Sequence, residues 1–556
     1  MRRLLPALLF LVMLTCAVVP ATASANQAPP PDVAVPLFAA DMTKVPKGFS
    51  IGPREALSIA EHAPKMEELH RTHHPLHYTV LVWVLSHYEI DFSYHGKLIA
   101  DQIVGPHGEL GPVIKGPLIG ALYARGHYGD IFDSKWLEGA FTLFFLLPLL
   151  LLRRRSWLDR LDIGVVLTFG VSYWLFNTTH LEPSVWLFYP PLVYLLVRML
   201  LRGFRPRPPS RRLECRLPNA VLVAGLLLLI AGRIFVTLKP AGVLDVGTAS
   251  VLGAYKILHG QSIFYFSLGH GDTYGPFNYL AYLPFELLWP GNWHYLPAAR
   301  AATIGFDLLT IGGLIAFGLR MRGRRDGLKL GLLLAWLWAA CPFSLLGMEK
   351  STNDGLVALL VVLVMLSLTG PIKRGILVGI GAAAKWFPAI LLPLVAVGRG
   401  EEGGSAVRKT LAAFVITVGA SLALFLPPGG LIEVWNHTLG FQLSRPDVFS
   451  IWALHPTLAP IKIALEAFAV VLAVFVAFRP RGTRSPAQVA ALAAAVTIAV
   501  QLPALHWFYL YIVWFLPLVL IAVLANDPPA IEEPTVLVDE PEVVATPAEP
   551  TLAGVA

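Results

Sequence analysis

The stretch NAVLVAGLLLLIAGRIFVTLKPAGVLDVGTASVLGAYKILHG (219–260) decides the fold class. Its first half, 219–238, is an apolar run long enough to cross a hydrocarbon layer of about 30 Å as a helix. Its second half cannot cross. Val251, Leu252, Tyr255 and Leu258 recur at helical spacing, while Lys256 and His259 face away and Gly260 can end the helix. That is the pattern of an amphipathic helix lying in the membrane interface. Between the halves stands one carboxylate, Asp245, where the chain leaves the membrane. Capping the following helix is a sufficient structural role for it.

The same apolar character runs through the chain. Of 556 residues, 56% are hydrophobic and 14% are charged, which fits a polytopic α-helical membrane protein and excludes an ordinary soluble enzyme. Further crossings are read at 137–152, 161–177, 185–201, 297–319, 328–345, 355–370, 410–427, 457–478, 487–503 and 509–525, about eleven in all. Basic residues gather in the short loops 153–160, 202–216, 320–329, 373–374, 408–409 and 479–484. The positive-inside rule places these in the cytoplasm and the N-terminus outside. The net charge of +7 is therefore a topology signal, and no nucleic-acid partner is expected. Three cysteines form no disulfide framework.

Two segments do not fit simple crossings. Residues 375–397, GILVGIGAAAKWFPAILLPLVAV, lie between loops that both read as cytoplasmic. A re-entrant hairpin of two half-helices tipped near Lys385 and Pro388 resolves this, since irregular backbone at membrane depth survives only inside protein or along a cavity. Residues 242–296 begin and end outside, so their apolar parts lie on the surface or dip in partway.

The N-terminal part divides further. Residues 1–25 have the layout of a cleavable signal peptide, and 26–50 read as a linker. Residues 51–135 are polar, with a helix followed by β-rich runs and FSYHGKLIADQIV as a hairpin. This pattern resembles the PepSY domain, which implies binding or regulation rather than catalysis. HRTHHPLH brings His70, His73, His74 and His77 close in sequence. Pro75 interrupts any helical pairing among them and no carboxylate or cysteine stands within the run, so an exposed polar turn explains them better than a metal does. Residues 137–218 form accessory spans, 219–525 the main membrane domain, and 526–556 an acidic, Pro-rich cytoplasmic tail.

Beyond the interfacial helix, YGPFNYLAYLPF (274–285) adds Tyr274 and Tyr279 on the outer surface. Then come STNDGLVALLVVLVM (351–365), the 375–397 segment and HWFYLYIVWFLPLVL (506–520). In order and placement these motifs resemble the GT-C superfamily of polyprenyl-phosphate-sugar glycosyltransferases, most nearly glycosyltransferase family 87. The resemblance covers about 219–525 and leaves the N-terminal part outside. It implies transfer of a sugar, mannose or arabinose, from a polyprenyl-phosphate donor to an envelope glycan, lipid or protein. It departs from some relatives in that the loop carboxylate is single.

The chemistry then sorts the residues. Inversion at the anomeric carbon needs one base for the acceptor hydroxyl, and Asp245 stands where donor and acceptor would meet. The phosphate leaving group needs cations. Arg445, Lys350 and Lys385 are the candidates, against salt-bridge readings for Lys350 (Glu349 or Asp354) and a structural partner for Lys385. A lysine at membrane depth costs about 2.5–3.5 kcal/mol and calls for a partner or a role. Tyr274, Tyr279, His455, His506 and Asp354 are candidate acceptor or sugar contacts, although helix capping is the favoured role for Asp354 and interfacial hydrogen bonding for the two histidines. Arg233 and Lys239 read as lipid-headgroup anchors. No metal site and no cofactor are expected. The competing readings are a transporter or lipid flippase, and a non-catalytic envelope assembly protein led by its PepSY-like part.

Overall fold

The computed structural model describes residues 38–46, 48–83, 87–95, 97–115, 134–153, 156–178, 180–206, 214–239, 243–264, 273–293, 295–400, 403–444 and 449–526. The leader, Arg445 and all of the tail except Asn526 lie outside these residues.

The N-terminal part is a small α+β unit. A single helix over 52–71 would have to pass through Pro64, which lacks an N–H and holds Ala63 extended (ψ 136°). The chain therefore forms two helices, α1 (Pro53–Glu61) and α2 (Pro64–Thr72). After the edge strand β1 (Phe38–Ala39), the strands β2 (His77–Trp83), β3 (His87–Tyr94), β4 (Lys97–Val104) and β5 (Leu110–Lys115) pair consecutively as an antiparallel meander. Alternation sends Tyr88, Ile90 and Phe92 into a core shared with Ala56, Ala60 and Met66. The Tyr88 hydroxyl donates to the Ile51 carbonyl at 2.8 Å. A bulge between Phe92 and Ser93 shifts the β3–β4 register by one residue. Among the described residues, the clustered histidines do not gather at metal-ligating distance.

The rest is helical. The next helices are α3 (Lys135–Leu151), α4 (Trp157–Gly164), α5 (Phe169–Asn177), α6 (Leu181–Phe204) and α7 (Asn219–Leu238). They are followed by α8 (Asp245–Leu258), α9 (Pro276–Glu286), α10 (Pro297–Ala340), α11 (Pro342–Glu349) and α12 (Asp354–Leu366). The stretch α10 is two antiparallel arms broken at Gly323 (φ 73°). The arms meet so closely that a Cβ on Gly318 would lie 2.3 Å from the backbone nitrogen of Gly331. Five helices among the described residues are long and apolar enough to cross a membrane: 181–204, 219–238, 297–324, 404–424 and 456–478. A sixth would be the pair Asp326–Ala340 and Pro342–Glu349, bent by 62° at Cys341. Other stretches read as single crossings come out shorter or broken. Residues 157–177 become α4, a 3₁₀ turn and α5.

The outer helices show what the apolar composition is for. Leu227, Leu228 and Phe235 on α7 are exposed, as are Val470, Val471 and Phe478 further on. Such bands suit lipid rather than water. The helices α20 (Pro486–Gln501) and α21 (Ile512–Leu524), by contrast, are sheathed by the others and almost wholly buried. Between α12 and α20 the chain runs through α13 (Pro371–Lys385), α14 (Leu392–Val397), α15 (Gly404–Leu424), α16 (Gly430–His437), α17 (Leu439–Ser444), α18 (Ile451–Leu454) and α19 (Ala459–Phe478). The accessory helices are bonded into the main bundle. Ser172 and the Tyr509 hydroxyl are 2.7 Å apart, Gln488 Nε2 donates to the Gly203 carbonyl, and Trp336 Nε1 donates to the Phe144 carbonyl.

Arg233 is not a headgroup anchor. It is fully buried and makes a fork to Asp307, with Nη2 to Oδ1 at 2.5 Å and Nε to Oδ2 at 3.1 Å, while Nη1 donates to the Ala339 carbonyl and Ser344. The cation sits where α7 crosses α10, and its charge is met inside the protein.

Candidate functional site

The segment 371–397 doubles back. Helix α13 runs out to Lys385, the chain turns at Trp386, and a 3₁₀ turn (Phe387–Leu391) followed by α14 brings it home. Arg374, fully buried at the base, ties both ends: Nη1 donates to the Leu368 carbonyl and Nη2 to the Ala396 carbonyl. The turn itself is strained, since Trp386 has φ 55°, a value bulky side chains rarely adopt. Lys385 stands at this tip.

Its ammonium is held from several sides. Nζ donates to Asp354 Oδ1 at 2.6 Å and to Asn353 Oδ1 at 2.8 Å. It also lies over the rings of Trp514 (5.1 Å), Tyr274 (5.6 Å) and Tyr511 (5.7 Å), an aromatic box favourable to a cation. Asp354 receives a second bond from Trp514 Nε1 at 2.8 Å. Phe387 and Tyr511 stack on either side of this arrangement against Trp514. The Lys385 side chain keeps 12% exposure and Asp354 only 1%. The pair is therefore buried, with the lysine as its more open end.

A polar chain runs from here towards α8. Asn353 Nδ2 donates to Asn278 Oδ1 at 3.0 Å, and Asn278 Nδ2 donates to Ser250 Oγ at 2.9 Å. Two close approaches fix α8 and α9 to the tip. Gly275 donates its N–H to the Ala384 carbonyl, and a Cβ on Gly275 would fall 2.1 Å from the Ala383 oxygen. Gly253 of α8 lies flat on the ring of Tyr279. At the start of α8, the Leu244 N–H donates to the Lys350 carbonyl and Gly247 abuts the Ser351 carbonyl. Asp245 is thus placed beside the loop that carries Asn353 and Asp354. It is the first residue of α8, exposed, with Oδ1 accepting from the Val246 N–H at 2.8 Å.

The sequence-predicted residues fall into three groups. Lys385, Asp354 and Tyr274 come together. Asp354 serves Lys385 as counter-ion, so its carboxylate is engaged inside the protein rather than free for a sugar. Tyr279 is fully buried against α8 and likewise does not present itself to a sugar. Lys350, read as outward-facing, is fully buried, with Glu349 Oε1 at 3.8 Å, and so is closed to a lipid headgroup in this arrangement. His455 stands apart, 3.2 Å from Glu182 of α6 and near the Trp186 ring. His506 packs among Phe449, Phe508 and Tyr511, the last linking it to the edge of the Lys385 box. Sequence reading missed Asn353, Asn278, Trp514 and Tyr511, although each lies inside a motif quoted above. The available signal was a set of uncharged polar or aromatic groups within otherwise apolar runs.

A helical bundle with lipid-facing outer helices, a helix hairpin carrying a cation to its tip, and an aromatic and carboxamide shell around that cation define a membrane protein with a built polar site. The comparison with known families is more particular. Residues 273–525 match the model of glycosyltransferase family 87, which supports a membrane glycosyltransferase of the GT-C type. The match begins after Asp245 and α8 and spans less than half of the 556 residues. No curated protein matches the chain.

Proposed function

We propose that the chain is an inverting glycosyltransferase that takes a sugar, mannose or arabinose, from a polyprenyl-phosphate donor and passes it to an envelope glycan, lipid or protein outside the cytoplasm. The observation that carries this reading is Lys385 at the tip of a doubled-back helix pair, boxed by Tyr274, Tyr511 and Trp514 inside the matched segment. A point cation that keeps a small opening to its surroundings at such a place suits an anionic phosphate, and aromatic faces beside it suit a sugar ring. Asp245 supplies the general base: it is exposed, anchored through Leu244 to the Lys350 carbonyl, and joined by the same loop to the Lys385 cluster. Arg445 would be a second phosphate ligand, and His506 an acceptor contact. The 51–135 unit, PepSY-like in its helix-then-meander order, would sit outside the membrane as an accessory module. The basic loops and the tail would face the cytoplasm.

The test is transfer of radiolabelled sugar from synthetic polyprenyl-phosphate donors by membranes carrying the full chain. Asp245→Asn should abolish transfer while expression and thermal stability stay at the wild-type level, because the side chain is exposed and a loss of general-base catalysis costs about 10²–10⁴-fold. An unaltered rate would remove Asp245 from the mechanism. No transfer by the wild type from any polyprenyl-phosphate sugar, together with lipid or glycan translocation in vesicles, would favour the transporter reading.

A further inference from the structure

The transferase reading leaves one polar cluster unused, and it lies in the N-terminal unit. On β3, Tyr88, Ile90 and Phe92 enter the core beneath the helices, and Glu89 and Asp91 take the opposite face. The bulge in the β3–β4 ladder sets Asp101 directly across from Asp91. Three carboxylates therefore share one face of the sheet, and they are shielded from water, with exposures of 4% (Glu89), 8% (Asp91) and 0% (Asp101). One carboxylate oxygen from each lies within 4.8 Å of the others. Three oxygens evenly placed about 2.4 Å from one calcium ion lie about 4.2 Å apart, so at this separation small side-chain rotations bring all three onto a common ion.

The second observation concerns Asp101 itself. Both of its carboxylate oxygens are buried and accept no hydrogen bond among the described residues. Buried charge without a partner is strongly disfavoured, and here two like charges stand beside it.

We propose that Glu89, Asp91 and Asp101 form a divalent-cation site of the calcium type. The donor set is all oxygen, with no nitrogen or sulfur, and such a set selects hard cations. Calcium fits better than magnesium, which keeps several waters and demands near-ideal octahedral geometry; this face is dry. Glu89 and Asp91 make further contacts of their own, so Asp101 is the ligand whose charge depends most on the ion. The ion would pin β3 to β4 at the bulge.

The experiment uses the full chain in detergent, stripped with chelator and titrated with calcium by calorimetry and by thermal denaturation. The wild type should bind calcium and unfold at a higher temperature with it than without. Asp101→Asn should weaken binding by at least about tenfold, since affinity follows the charge count of the ligands. Should that variant fail to fold, Asp91→Asn provides the same comparison. The proposal is overturned if millimolar calcium gives neither heat nor a thermal shift in the wild type, or if Asp101→Asn binds like the wild type. It is also overturned if the wild type takes no ion and Asp101→Asn is the more stable protein, for then the cluster holds a shared proton. Equal affinity for magnesium would overturn the choice of calcium.

Discussion

Replacing Lys385 with Met tests whether the ion pair at the hairpin tip is the structural centre that the geometry indicates. The substitution keeps the length and apolar stem and removes the ammonium. Asp354, 1% exposed, then loses its donor at 2.6 Å and keeps only Trp514 Nε1 at 2.8 Å. Removing one partner of a buried pair costs about 3–5 kcal/mol, because the remaining charge is stranded. The surviving indole bond and the fraction of Lys385 open to solvent place this case at the low end, about 3 kcal/mol. Asp354→Asn strands the ammonium instead, but leaves it Asn353 and three aromatic faces, so about 2 kcal/mol is expected. The double variant should lose less than the sum of the two single losses, with a coupling of about 1.5 kcal/mol or more. Equilibrium unfolding of the four proteins in mixed micelles, followed by tryptophan fluorescence, measures it. Purely additive losses, or a Lys385→Met protein as stable as the wild type, would refute the pairing.

Two further outcomes follow from the same geometry. Trp514→Phe keeps the stacking on Phe387 and Tyr511 but deletes the indole donor to Asp354, and should cost about 1–2 kcal/mol in the same unfolding assay. Gly275→Ala puts a methyl 2.1 Å from the Ala383 carbonyl oxygen, a backbone atom that cannot rotate aside, so the loop must leave the tip. Transfer should fall at least about tenfold while helical content by circular dichroism is kept, since a misplacement of about 1 Å can cost 10²-fold in rate.

Some of this was legible in the sequence, for stated reasons. A lysine amid GIGAAAKWFPAIL is costly at membrane depth, and basic residues on both flanks require the chain to return to its starting side. Cost and charge together mark Lys385 as the tip of a hairpin. Its partner was not legible, because Asp354 lies 31 residues earlier and reaches Lys385 only once the turn at Trp386 has formed. Lys350 shows the opposite case. In sequence it follows an apolar run and reads as a cation at the outer edge; in the fold, α11 is bent by 62° from the arm before it and the side chain ends inside. The carboxylates of the N-terminal unit were hidden by a single residue. A plain hairpin through Tyr94 and Lys97 would oppose Asp91 to Ala100. Only the bulge brings Asp101 across, and no composition or alternation signal announces a bulge.

The backbone hydrogen bond from the Gly275 N–H to the Ala384 carbonyl has a mechanical corollary. It couples the stretch bearing Tyr274 to the very peptide that precedes Lys385. A shift of the backbone at the tip carries the Tyr274 stretch with it, so the cation and one wall of its aromatic box keep their spacing when that turn moves.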